Sequence, residues 1–337
     1  MEKSVEFQNS AGEKQLSKED QELVLSLPRV KNWDYPFLYQ YQGFWCASEF
    51  FHGILSFQRH FQAKDTDILL ATFPKSGTTW LKSLTYTIAN RSRYTLENSP
   101  LLTTASHDLV PFTDLEIYGK NKFSTLEHLL TPRILATHLP YASLPHSIIN
   151  SNCRIVYLCR NPLDQFVSYW HFISKLQQAA DPVSIDEAFE MFCQGVQLFG
   201  PIWDHVLGYW KASLEKSNKV LFLKYEDLKE DIIYYIKKLA DFIGCPFTNE
   251  EDAQGVIQEI SKFCSFDNMK NLQVNQTGKL AWVENKLFFR KGKVGDWTNH
   301  LTPSMSKRLD NLMEEKFGES GLRFDDLYTI TKDQKKN

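Results

Sequence analysis

The chain has 337 residues, an ordinary apolar and charged content, and a formal net charge of −3. That length supports one large domain or two small ones. The slight acidity argues against a general nucleic-acid or membrane-surface binder, which would carry a basic surface, so any anion site must be local.

The opening residues, MEKSVEFQNSAGEKQ, are polar and lack the apolar core of a secretory signal. No apolar run reaches membrane-spanning length. Six scattered cysteines without a C-x-x-C pair argue against a disulfide framework or a zinc site. The expectation is a cytoplasmic protein with no membrane, nucleic-acid or metal partner. Residues 1–20 and 331–337 read as disordered tails by composition, which leaves 21–330 as one domain.

Along that domain, WDYPFLYQYQGFWCASEFF (33–51) is dense in aromatics. It suits a pocket wall or a layer packed over a sheet. Asp67–Phe73 predicts a buried strand, followed by a helix over Thr78–Ala89. The stretch 103–127 is charged and aperiodic, and predicts a long loop near the site. Arg133–Thr137 and Arg154–Cys159 predict two more strands. After the latter, Asn161 can cap a helix and Pro162 suits its first position. Leu163, Phe166, Val167, Trp170 and Ile173 follow at helical spacing. Val220–Lys224 predicts a fourth strand. Its helix carries Ile232, Ile236, Leu239 and Ile243 and stops at Gly244, with Pro246 beyond. Apolar strands alternating with amphipathic helices define an α/β fold, a single domain with a central parallel sheet flanked by helices. Ligands bind such sheets beyond the carboxyl ends of the strands.

At one such end stands TFPKSGTTW (72–80). Pro74 ends the ladder, and Gly77 permits a turn that other residues resist. The first turn of the following helix offers unpaired N–H groups and a partial positive charge, which suit a phosphate or sulfate. Lys75 adds a full charge; Ser76, Thr78 and Thr79 add hydroxyls. This is a P-loop-like, phosphate-cradling loop in logic, although Lys75 precedes the Gly instead of following it. A kinase or nucleoside-triphosphatase would also need a metal and a strand-end carboxylate. Glu226-Asp227 is the candidate, but acids equally suit the start of a helix. Arg160 stands at the third strand's end, and Ser168 lies two turns into the next helix on the face of positions 161 and 164 or 165, so both could reach one anion. Near the C-terminus, FFRKGKVGDW (288–297) combines Arg290, Lys291 and Lys293 with Gly292 and Gly295, a loop able to wrap an anion. Two separate basic corners suit a ligand with two anionic groups.

TFPKSGTTW, ATHLPY (136–141), CRNPLDQFVSYWHF (159–172), FGPIWDHVLGYW (199–210), KYEDL (224–228) and RKGKVGDW (290–297) stand in the same order as in the cytosolic sulfotransferases. The chain resembles that family, whose members use 3′-phosphoadenosine 5′-phosphosulfate (PAPS). YQYQGFW (39–45) resembles its plant branch, associated with specialised metabolism. The resemblance implies that Ser76, Gly77, Thr78 and Thr79 cradle the 5′-phosphosulfate, with Lys75 at the bridging oxygen. It implies that Arg160 and Ser168 hold the 3′-phosphate and that Arg290, Lys291 and Gly292 close over it. Trp80 and Phe266 match the aromatics that sandwich adenine. Phe199 stands near the adenine where many relatives carry Tyr. His138 matches the catalytic base. Ala136 replaces a Lys frequent in animal members, and TNHLTPSMSK replaces their dimer segment, so a monomer is expected. The implied acceptor is a small hydroxylated molecule of flavonoid, steroid, hydroxyjasmonate or desulfoglucosinolate type. A non-catalytic PAPS-binding protein is the alternative, disfavoured by the presence of both Lys75 and His138.

Overall fold

The computed structural model describes residues 16–177, 183–281 and 283–324. Strands β1 (Ile68–Thr72), β2 (Ile134–Thr137), β3 (Arg154–Cys159) and β4 (Val220–Lys224) form a four-stranded sheet in the order β2-β1-β3-β4. All three pairings are parallel. Successive residues face opposite layers, and both layers are apolar. Leu69, Ala71, Ile155 and Tyr157 join one core, whereas Ile68, Leu70, Val156 and Leu158 join the other. This two-sided burial is why the strands read as continuous apolar runs.

β1 and β2 each begin one residue later than expected. Asp67 and Arg133, just before them, form a buried two-contact ion pair across the amino end of the sheet. Helix α1 (Thr78–Asn90) follows β1, and α2 (Pro162–Gln177) follows β3. Asn161 Oδ1 accepts from Leu163 N at 2.9 Å, supplying the expected start. Gly244, with φ +77°, lies just past the helix Ile232–Phe242.

The stretch 103–127 is more ordered than a loop. It holds helical turns at Ser106–Leu109 and Thr125–His128 and a π-helical turn at Thr113–Tyr118, elements too short for a periodicity to show. The aromatic segment serves both expected purposes. Leu38–Tyr41 and Phe44–Ala47 form an antiparallel hairpin whose Tyr39 and Phe44 are core residues, while Tyr35 and Phe50 face the central cavity. The folded chain also starts earlier than expected. Lys18–Ser26 is a helix capped by Ser17, and its Asp20 pairs with Arg59, so the end of the 1–20 stretch is helical. Residues 1–15 and the expected tail 331–337 lie outside the described residues.

Register decides what meets at the carboxyl ends. Ala71 pairs with Thr137, and Thr72 with Leu158. His138 therefore stands level with Thr72, and Arg160 two rows further along β3, beside the turn that starts α1.

Candidate active site

A cavity of about 440 Å³ opens at that end of the sheet. Lys75, Gly77, Thr78, Thr79, Trp80, His138, Arg160, Ser168, Phe199, Phe266, Arg290, Lys291 and Gly292 all line it. Ser76 sits behind the lining, fully buried.

The turn after β1 owes its shape to two residues in the left-handed region, Lys75 at φ +66° and Gly77 at φ +107°. A Cβ on Gly77 would fall 2.8 Å from the Tyr225 ring. Only glycine fits there, and its conformation leaves the first N–H groups of α1 without a side-chain cap. The Lys75 Nζ lies 3.9 Å from the centre of the Phe172 ring and 5.5 Å from that of Phe288. Burial, with Arg160, Arg290 and Lys175 nearby, pulls its pKa down to about 7.

His138 is tied to the same turn. Its Nδ1 lies 2.7 Å from the Thr72 carbonyl, and a carbonyl only accepts. Nδ1 therefore carries the proton, and Nε2 keeps a free lone pair. Thr72 Oγ1 stands 3.3 Å from the same nitrogen and 2.7 Å from Thr78 Oγ1. The His138 carbonyl in turn faces His205 Nε2 at 2.9 Å. Burial pushes the imidazole pKa down to about 3, and Lys82, His205 and Lys75 add to the effect. The ring is neutral at physiological pH.

The second corner is assembled from distant parts of the chain. Arg160 is buried, lies 4.7 Å over the Tyr225 ring, and donates to the Lys293 carbonyl at 2.8 Å. Asp164, one turn along α2, accepts from Gly295 N at 2.7 Å and Trp297 N at 3.0 Å. It also faces Arg160 at 3.6 Å. Asp164 thus docks the basic loop onto α2. Within that loop Asp296 accepts from both Arg290 and Lys291. Burial alone would raise the Asp296 pKa, but hydrogen bonds from Lys291, Arg290 and Asn299 hold it well below the usual carboxylate range. A Cβ on Gly292 would fall 2.4 Å from the Phe266 ring, so the loop backbone lies directly on that aromatic.

Trp80 meets Tyr225 edge-on at 5.4 Å, and Phe266 meets Phe289 at 6.0 Å. Phe199 lines the cavity beside His138. Its ring contacts are Phe44, Phe50 and, at 5.6 Å, His138. The hairpin holds it there, because Phe199 N donates to the Trp45 carbonyl at 2.7 Å. It flanks the imidazole instead of pairing with Trp80 or Phe266. Glu226 accepts from Asn161 N at 3.0 Å, so the strand-end carboxylate considered for a kinase braces the start of α2.

Sequence reasoning passed over Thr72, Tyr225, Asp164, Asp296, Lys82 and His107. Two signals were available. Asp164 is four residues from Arg160, and Lys82 is three residues from Thr79.

An anionic ligand fits what the side chains leave open. Ser76 Oγ, Arg160 Nε and Arg290 Nε are buried and make no hydrogen bond among the described residues. Buried donors normally find partners, and here one comes from each of the three elements that line the cationic corners. Fold and site together define the class: an α/β protein whose cavity, at the carboxyl ends of its parallel strands, is lined by two cationic corners and a neutral imidazole. Residues 65–321 match the family model described as the sulfotransferase domain. Cytosolic sulfotransferases 15 and 14 of Arabidopsis thaliana are each 48% identical to the chain, covering 92% and 93% of it and 88% and 92% of their own lengths. A solved Arabidopsis thaliana structure, provisionally described as a steroid sulphotransferase, is 40% identical with a TM-score of 0.73, covering 92% of this chain and 99% of its own. A mouse sulfotransferase complexed with PAP, the nucleotide left when PAPS gives up its sulfonyl group, is 29% identical with a TM-score of 0.66, covering 84% of this chain and 96% of its own. The chain belongs to the sulfotransferase family, with plant cytosolic members among its relatives, and is a PAPS-dependent sulfotransferase. Among the described residues no helix is long and apolar enough to cross a membrane.

Proposed function

We propose that the protein transfers the sulfonyl group of PAPS to a hydroxyl of a small, neutral, apolar acceptor, with His138 as the base. PAPS supplies the activated sulfonyl group. Ser76, Gly77, Thr78 and Thr79 hold its 5′ end against the first turn of α1. Arg160, Ser168, Arg290, Lys291 and Gly292 hold its 3′-phosphate, and Trp80 and Phe266 hold the adenine. Phe199 serves the acceptor side, beside the imidazole. Lys75 places its ammonium where negative charge builds as the bond to sulfur breaks, the point at which preorganised charge matters most.

The observation that carries this reading is the 2.7 Å contact between His138 Nδ1 and the Thr72 carbonyl. It aims an unprotonated Nε2 from the same strand end that starts the Lys75 turn. The depressed pKa keeps that nitrogen free, and negative charge bound nearby strengthens it as a base. His138→Ala is expected to cut turnover by about 10³-fold, within the range for a lost general base, while PAP still binds. Full activity in that variant removes His138 from the mechanism.

The acceptor class follows from the lining. Near His138 the wall is Phe50, Phe112, Leu115, Leu198 and Phe199. Among the described residues the cations of the cavity are Lys75, Arg160, Lys229, Arg290 and Lys291, and no carboxylate lines it. All five cations stand in the nucleotide corners or, for Lys229, near Trp80. An acceptor carboxylate would find no dedicated partner. This supports flavonoid- or steroid-like acceptors over hydroxyjasmonate, and the solved plant relative described for steroids supports the same class. A screen with PAPS and these acceptors, read by mass, tests it. Preferred sulfation of hydroxyjasmonate overturns the neutral-acceptor reading.

We also read the chain as a monomer. Thr302 caps and Pro303 opens the helix Pro303–Phe317, so this segment is committed to the fold. A dimeric mass by light scattering removes that reading.

A further inference from the structure

Behind the anion turn lies a chain of polar groups to which the reading above gives no task. Lys82, on α1, is fully buried. Its Nζ stands 3.0 Å from His107 Nδ1, and His107 Nε2 stands 3.0 Å from Thr79 Oγ1. Thr79 and His107 both line the cavity. Thr79 and Lys82 are three residues apart and share a helix face. His107 reaches them from the turn Ser106–Leu109.

We propose that Lys82 and His107 are positioning residues that fix the Thr79 hydroxyl as a hydrogen-bond donor to the anion at the turn. The reason is the direction of the protons. An ammonium only donates, so His107 Nδ1 must accept and Nε2 must carry the ring proton. Nε2–H then donates to Thr79 Oγ1, which fills one lone pair and leaves the hydroxyl proton free for the cavity. With the opposite tautomer, Thr79 would spend its proton on Nε2 and turn lone pairs toward the ligand, repelling an anion.

Lys82 donates to Nδ1 through an N–H whether or not it is charged. Its Nζ lies 3.5 Å over the Phe112 ring, a face that attracts cations. Asp108, Asp114 and Glu116, from the segment packed against α1, favour its charge; burial opposes them and brings its pKa to about 7. His107 itself is kept neutral by burial and by Lys82, which suits a relay of one donor and one acceptor. Its ring is clamped between Phe112 at 5.7 Å and Phe288 at 4.5 Å, so it cannot swing away.

The inference rests on the reading of Thr79 as part of the cradle, and the experiment separates the two. PAP affinity is measured by calorimetry for Thr79→Val, Lys82→Met, the Thr79→Val/Lys82→Met pair, His107→Gln and His107→Phe, with thermal unfolding to confirm folding. Thr79→Val and Lys82→Met each lose about 10-fold, the scale of one hydrogen bond to a charged group, and the pair together also loses about 10-fold. His107→Gln stays within about 3-fold, because its carbonyl can accept from Lys82 while its amide donates to Thr79. His107→Phe keeps the stacking and loses about 10-fold. Lys82→Met and His107→Phe binding like the wild type, or losses that add in the double variant, overturn the relay while the cradle stands. Unchanged affinity in Thr79→Val overturns the cradle reading of that residue and the relay with it.

Discussion

The two cationic corners of the cavity are built in opposite ways. The turn 73–79 is contiguous, lies on the main chain between β1 and α1, and takes its shape from Lys75 and Gly77 in the left-handed region. The other corner draws Arg160 from the end of β3 and Arg290 and Lys291 from a loop about 130 residues later, with Asp164 and the Arg160–Lys293 contact among the bonds that join them. A corner held by backbone geometry stands whether or not its side chains find partners. One held by side-chain bonds depends on each of them. The first should tolerate loss of a charge and the second should not.

Removing the tether is the most severe way to break this contrast. Asp164→Ala strips a buried carboxylate from two backbone donors and from Arg160, and is expected to cost about 3 kcal/mol of stability, the scale for removing one partner of a buried charged pair. Thermal unfolding measures it, with PAP restoring part of the loss. A neutral result means that the basic loop is held by something else. Next comes Arg160→Ala, expected to weaken PAP by about 1.5–3 kcal/mol, the strength of a charged hydrogen bond. Adenosine 5′-phosphate, which lacks the 3′-phosphate, should bind wild type and variant alike. Equal losses for both nucleotides would mean that Arg160 does not read the 3′ end.

The turn is probed by pH. Burial and three neighbouring cations place the Lys75 pKa at about 7 in the free protein, and a bound anion favours the charged form. Affinity is therefore greatest below pH 7 and falls as pH rises through and above 7, by up to about 1.4 kcal/mol per unit, with proton uptake on binding. Calorimetry in buffers of different ionisation heat reads the uptake, and Lys75→Met should remove most of it; uptake unchanged in that variant moves the titration to Lys82. The smallest effect is expected from Gly292→Ala. At φ +63° the new side chain is strained and presses on the Phe266 ring, costing about 1 kcal/mol, seen as a few-fold weaker PAP binding.

The first corner was legible in the sequence for the same reason that it is robust. A strand, a Pro, a Lys and a Gly-Thr-Thr helix start lie within nine residues, and local chemistry alone suggests an anion. Arg160 and Ser168 were singled out by their place at the strand end, and His138 and the basic loop through the resemblance; all of them line the one cavity. Asp164 and Asp296 were not, because an acid that organises a loop looks like any other acid until the loop is in place. The contact of the Phe199 ring with His138 was not legible either, because it depends on the hairpin's backbone bond to Phe199. Lys82 looked like an ordinary helix lysine, and the stretch around His107 looked like open loop.

By itself the sequence determined the strands, their two-sided burial, the helices between them and the anion turn, because each depends on residues within a few positions of one another. Only the tertiary structure decided which nitrogen of His138 carries the proton, how the basic loop reaches Arg160, and that Lys82 and His107 stand behind Thr79. Those outcomes depend on parallel register and on hydrogen bonds between segments far apart in the chain, and no local pattern encodes a contact whose partner lies a hundred residues away.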